Sequence, residues 1–114
     1  MERNVFYLID GIVGMEGDGP LTGNPVYPGV ILAGLNAPAL DAVAATLIGF
    51  DFNKIKLIKN SLKEVNPPNP LYSGKPDDIQ VIVGEELIGL SEFHKKYNLK
   101  FESHHGWKKH IELD

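Results

Sequence analysis

Four carboxylates, Asp10, Glu16, Asp18 and Asp41, lie in a stretch with no competing cation, because no Lys or Arg occurs between Arg3 and Lys54. Hard divalent cations such as Mg²⁺ or Mn²⁺ take several oxygen ligands, and carboxylates with water supply them. The spacing is not that of an EF-hand loop. The same residues also have a local use. Asp10 and Asp18 each precede a glycine, where Asp commonly caps turn N–H groups, and Asp41 is favourably placed near a helix start. Both uses stay open on the sequence.

Three of these carboxylates fall in Asp10–Pro25, "DGIVGMEGDGPLTGNP", with five glycines and two prolines. We read it as a ligand-binding loop. Gly14, Gly17, Gly19 and Gly23 space as G-x-x-G-x-G-x-x-x-G, which is neither the dinucleotide fingerprint nor a Walker loop. Its backbone N–H groups could still cradle an anion. A bare phosphate would need a metal, or a basic residue from the second half. Met15 reads as a packing residue that pins the loop.

The tail "HHGWKKHIE" carries His104, His105 and His110 around Trp107. Imidazole ligates metals and moves protons near neutral pH. The spacing is neither H-E-x-x-H nor a zinc-finger pair. If this segment is extended, His110 and Glu112 share a face and Glu112 can orient the ring. The competing reading is a Trp anchor with solvated histidines. His94 reads as a surface residue. Thr22 and Ser73 lack any nucleophile-elbow context.

The elements that would carry these residues follow from pattern. Val5–Asp10 and Val30–Gly34 are short apolar runs closed by glycine, and read as buried strands. Asn36–Asp51 is the clearest helix: Asn36 caps it, Pro38 falls in the first turn, and Gly49 suits its end. Leu40, Val43, Ala44, Leu47 and Ile48 form its apolar stripe. A second helix is predicted over Asn53–Glu64, with Lys54, Lys56, Lys59 and Lys63 toward water. Asn66–Asp78 is a proline-rich loop. Ile79–Val83 reads as a strand, Ser91–Asn98 as a short helix capped by Ser91, and the tail as extended. The order predicts one α/β domain over residues 1–114, with a sheet of about three to five strands and two main helices. So few strands suggest a larger domain, a homo-oligomer or an N-terminal partner.

Composition sets the outer bounds. The 114 residues are 43% hydrophobic, as expected of a folded domain. Eleven basic against fifteen acidic side chains give a net charge of −4, which argues against a phosphate-tracking nucleic-acid binder. The absence of Cys excludes thiolate zinc and cysteine-ligated iron–sulfur sites within the chain. No signal-peptide pattern or membrane-length apolar run is present. The expected location is cytoplasmic.

"DGIVGMEGDGP", "NAPALDAVA" and "HHGWKKHIE" together resemble the uncharacterised domain-of-unknown-function family 362, in the C-terminal part of its domain. The resemblance implies site positions at Asp10, Glu16, Gly17, Asp18, Gly19 and Asp41, followed by His105, Trp107 and His110. It also implies a redox association, since ferredoxin-type cysteine modules accompany the domain in many members. This chain has no Cys to carry such a role.

The first functional expectation is a metabolic or redox-associated domain. Its acidic glycine segment, around Gly14, Glu16, Gly17, Asp18 and Gly19 with His105, Trp107 and His110, would bind a small ligand. Asp10, Glu16, Asp18 and Asp41 would hold a divalent metal there. Were it an enzyme, Asp18 or Glu16 would hold metal-bound water or substrate while a tail histidine moved protons. The second is a non-enzymatic interaction domain that packs against an N-terminal half or a second subunit. The two differ on metal binding and on exposed apolar surface.

Overall fold

The computed structural model describes residues 3–63, 72 and 74–113. The chain folds as a mixed α/β structure, as the pattern predicts. Its strands are β1 (Tyr7–Gly11), β2 (Gly14–Asp18), β3 (Thr22–Val26), β4 (Val30–Gly34), β5 (Gln80–Val83) and β6 (Glu86–Gly89). Its helices are α1 (Ala37–Leu47), α2 (Lys56–Ser61) and α3 (Leu90–Lys96). The strands pair two by two, all antiparallel: β1 with β4, β2 with β3, and β5 with β6.

α1 is the centre of the core. Asn36 caps it, its side chain accepting the Ala39 N–H at 2.9 Å, and Pro38 sits in the first turn, where no N–H partner is needed. At the other end Gly49 takes φ +87°. The Gly49 N–H donates to the Thr46 carbonyl and the Phe50 N–H to the Ala45 carbonyl. This is the Schellman arrangement, which needs a left-handed residue at that place. Ala42, Val43, Ala45 and Leu47 pack against Ile58 and Leu62 near α2, Ile79, Ile88 of β6 and Phe93 of α3. Thr46, also buried, returns its hydroxyl proton to the Ala42 carbonyl at 2.8 Å, so no polar group is stranded there.

Several expectations change. Asp10–Pro25 is not a loop: most of it is the β2–β3 hairpin, with Glu16 opposite Asn24 and Asp18 opposite Thr22. Extended glycines suit this hairpin because Met15 lies across Gly23, whose absent Cβ would stand 2.6 Å from Met15 Cγ. The apolar runs of β1 and β4 are half-buried on one face only, with Leu8 60% and Ile31 59% exposed on the other. The second helix is broken. Asp51 caps a short 3-10 turn at Phe52–Lys54, and α2 follows. Its predicted end at Glu64 lies outside the described residues, as does most of the proline-rich segment, which closes in a 3-10 turn at Pro76–Asp78. α3 starts at Leu90 after Gly89, and Ser91 makes no cap. β6 was not legible as a strand.

The tail is extended only in part. The Leu99 and Phe101 N–H groups donate to the Leu47 and Ile48 carbonyls, and Leu113 and Asp51 exchange bonds with Gly49 and Ile111. Between these anchors, residues 105–110 form turns. No described helix is long and apolar enough to cross a membrane.

Candidate functional site

The β2–β3 hairpin and the tail meet along one seam. The Gly17 N–H donates to the Glu102 carbonyl at 2.8 Å. The Glu102 N–H donates to Glu16 Oε2 at 2.7 Å. Gly17 has φ +73°, a left-handed conformation that glycine adopts without the cost a side chain would add. The Lys108 ammonium closes the edge on Glu102 Oε1 at 2.6 Å, and this pairing holds the Lys108 pKa above its ordinary value.

Asp18 stands at the end of the seam. Its Oδ1 accepts the His105 backbone N–H at 2.8 Å and faces His105 Nδ1 at 3.0 Å. His104 Nε2 lies 4.0 Å from the same oxygen. The two imidazoles stack with centroids 4.1 Å apart. The His105 amide, and then its ring, hold the Asp18 carboxyl below the usual carboxylate range. Donation from His105 Nδ1 to Asp18 leaves Nε2 with the lone pair. On His104 the Gly106 N–H donates to Nδ1 at 3.1 Å, so a neutral His104 carries its proton on Nε2, toward Asp18.

One donor atom each from Asp18, His104 and His105 lies within 4.8 Å of the others. Among the described residues this is the grouping of three that could hold a metal ion. The four carboxylates expected to share an ion are therefore split. Glu16 is taken up by the tail backbone. Asp10 accepts the Ile12 N–H at 3.0 Å, an Asx turn. Asp10 and Asp41 line a different cavity, of about 480 Å³, whose other walls include Val13, Leu32, Phe50 and Phe101.

The remaining expected residues fall around the seam. Gly14 lies over the Phe101 ring, and Gly19 precedes Pro20 in a cis peptide bond within the hairpin turn. Trp107 is half exposed and His110 exposed; both belong to the 105–110 turns. His110 and Glu112 do not share a strand face, because turns replace the expected extension. Glu112 instead accepts the Ser103 hydroxyl at 2.5 Å, which draws its pKa down to about 2. His94, read as surface, is half-buried with Nδ1 shut from solvent. Sequence reasoning named His104 in the tail's imidazole cluster but did not carry it into the expected ligand site, and it left Glu102 out altogether, since nothing local marked it.

A family model described as a domain of unknown function (DUF362) matches residues 3–46. The chain is similar to DUF362 over that stretch. The match takes in β1 to β4 and most of α1, and so includes Asp10, Glu16, Asp18 and Asp41. The tail histidines lie beyond it. No curated protein and no solved structure matches the chain.

Proposed function

We propose that the chain binds a divalent metal ion through Asp18, His104 and His105, as a cytoplasmic module that presents the ion to a small ligand. The observation that carries this is the approach of one carboxylate oxygen and two imidazole nitrogens to within 4.8 Å of one another. Two imidazoles with one carboxylate suit Mn²⁺, Fe²⁺, Ni²⁺ or Zn²⁺ better than Mg²⁺. A bound ion of this kind supplies Lewis acidity and acidifies its coordinated water. The Gly17–Glu102 and Glu102–Glu16 bonds hold the tail against the hairpin, and the Lys108–Glu102 pair closes the tail's own turns around both rings. Ligation by His104 Nε2 moves the ring proton to Nδ1 and gives up the Gly106 bond. Binding therefore competes with the local turn and with ring protonation.

The test is elemental analysis of untagged protein, with melting curves in Mg²⁺, Mn²⁺ and Zn²⁺. We expect one ion per chain and a rise in Tm with Mn²⁺ or Zn²⁺. Asp18→Asn should weaken binding by about tenfold or more. No ion and no shift in any metal would overturn the reading.

A specific observation also favours a second reading, an interaction domain. Leu8 and Ile31 on the β1–β4 ribbon, and Ile82 and Leu87 on the β5–β6 ribbon, leave apolar side chains 57–73% exposed. Exposed apolar side chains on strand faces are the kind of surface that interaction sites use. It fits a partner domain or a second copy.

A further inference from the structure

α1, the β1–β4 ribbon and the tail border the cavity of about 480 Å³ that takes in Asp10 and Asp41. On the helix, Asp41, Ala44, Ala45 and Ile48 recur at the spacing of one helical face, so Asp41 heads one lining stripe. The short side chains of Ala44 and Ala45 leave the hollow open on that side. On the strand side Gly11 and Gly14 add no side chain to it, and Phe50 and Phe101 are its aromatic walls. Small-molecule sites are hollows of this kind, mostly apolar and about 300–1,000 Å³ in volume, with a few polar groups that fix the ligand.

Charge decides what kind of molecule fits. Asp10 and Asp41 are the charged residues of the lining, and the rest are glycine, proline or apolar. Among the described residues neither carboxylate has an ion pair. Asp10 accepts the Ile12 N–H on Oδ1 alone, and its Oδ2 is open. Apolar walls strengthen the field of such charges, because little water screens them. Other occupants of this hollow bring no counter-charge. The exposed ribbon faces of a second copy lie in residues 7–34 and 80–89, and neither stretch contains Lys or Arg. The residues outside the described set carry Glu2, Glu64 and Asp114 and no basic side chain.

The geometry points to a binding site for a small organic cation, with a primary ammonium head held by Asp10 and Asp41 and an apolar body lodged against Ala44, Ala45 and Phe101. An ammonium offers three N–H donors, which two carboxylates from different elements can share. Burial of the body supplies the apolar part of the affinity. A neutral ligand of the same shape leaves both carboxylates without a counter-charge, and an anion is repelled. The lining includes none of Asp18, His104 and His105, and the inference does not rest on metal binding there.

The experiment is a titration of the full, isotope-labelled chain with hexylamine, followed by backbone amide NMR, with hexanol and hexanoate as controls of the same length. Hexylamine should shift the amides of Gly11, Gly14, Ala44 and Ala45 and saturate in the millimolar range or below. Hexanol should bind about tenfold or more weakly, and hexanoate should give no shift. Asp10→Asn together with Asp41→Asn should weaken hexylamine about tenfold or more and leave hexanol unchanged. Asparagine keeps an acceptor for the Ile12 N–H, so this variant retains the turn. Ala44→Leu, which fills the hollow, should remove binding of both. No shift with hexylamine, equal binding of hexylamine and hexanol, or binding unmoved by the double Asn variant would overturn the site. Mg²⁺ alone shifting the same amides and displacing hexylamine would make a hard ion the occupant and overturn it too. Shifts of these amides with protein concentration, without any amine, would give the hollow to a second copy and have the same effect.

Discussion

Glu112 shows how one side chain closes the tail on itself. Its carboxylate accepts the Ser103 hydroxyl, and that bond is the main cause of a pKa near 2 against an ordinary 4.5. A carboxyl whose folded pKa is depressed contributes stability that is complete above its unfolded value and lost as pH falls through the folded one. The Ser103–Glu112 contribution should thus be present at pH 5 and above, and disappear between about pH 4.5 and 2. Denaturant titrations across that range should show a steeper acid loss in the wild type than in Ser103→Ala. Equal slopes would mean the bond does not set the titration. Asp18 has the same sign of shift and was legible as a candidate from its type alone. His105 was expected in the same site from the family resemblance, but the contact itself was not legible: His104 and His105 sit more than eighty residues away, and a periodicity reading has no access to a contact made by folding. Asp10 and Asp41 shared the right chemistry with Asp18 but not its place, since type and spacing do not say which carboxylates converge.

At the level of elements, sequence and structure agree best where a local signal is strong. α1 had a cap, a first-turn proline, an apolar stripe and a terminal glycine, all pointing one way, and the helix is there. β4 begins and ends where its apolar run does. The β2–β3 hairpin was missed because its glycines look like loop punctuation. Their reason is steric. A Cβ at Gly23 would meet Met15 Cγ at 2.6 Å and the Glu16 carbonyl oxygen at 2.8 Å. The methionine can swing away, but the carbonyl belongs to the paired strand. Gly23→Ala should therefore cost about 1–3 kcal/mol and loosen the seam with Glu102, read as a lower Tm together with faster amide exchange at Gly17. A neutral outcome would show that the hairpin can shift by several tenths of an ångström without loss. β6 escaped notice because "ELIG" is four residues long and has no period of its own; the β5 edge and the Gly84 turn make it a strand.

For the whole molecule, the unexpected feature is the two-sidedness of the ribbons. Near-continuous apolar strands predicted burial on both faces, yet only the α1 side is covered. The sequence was legible about what the strands are suited to, and silent about whether this chain alone supplies the second layer. Replacing Leu8 and Ile31 by Asn should leave folding stability within about 0.5 kcal/mol each, because both are exposed. The same change should reduce binding of a hydrophobic dye and weaken any association through the β1–β4 ribbon, leaving the Ile82–Leu87 face of β5–β6 as a remaining apolar surface. A large loss of stability instead would mean that these side chains are covered in solution.

The seam between hairpin and tail has a consequence for timing. Asp18 and His105 are 87 residues apart in sequence, and closing so long a chain segment costs configurational entropy that rises with the logarithm of its length. The hairpin and α1 are local and can form while the chain is still being synthesised. The Asp18–His104–His105 group cannot exist until residue 105 has emerged and α1 has given the tail its anchors at Leu47 and Ile48. An ion held there would act as a late latch, closing on a nearly finished molecule, and its release would loosen the turns at 105–110 while the bonds to Leu47, Ile48 and Gly49 keep the tail on the core.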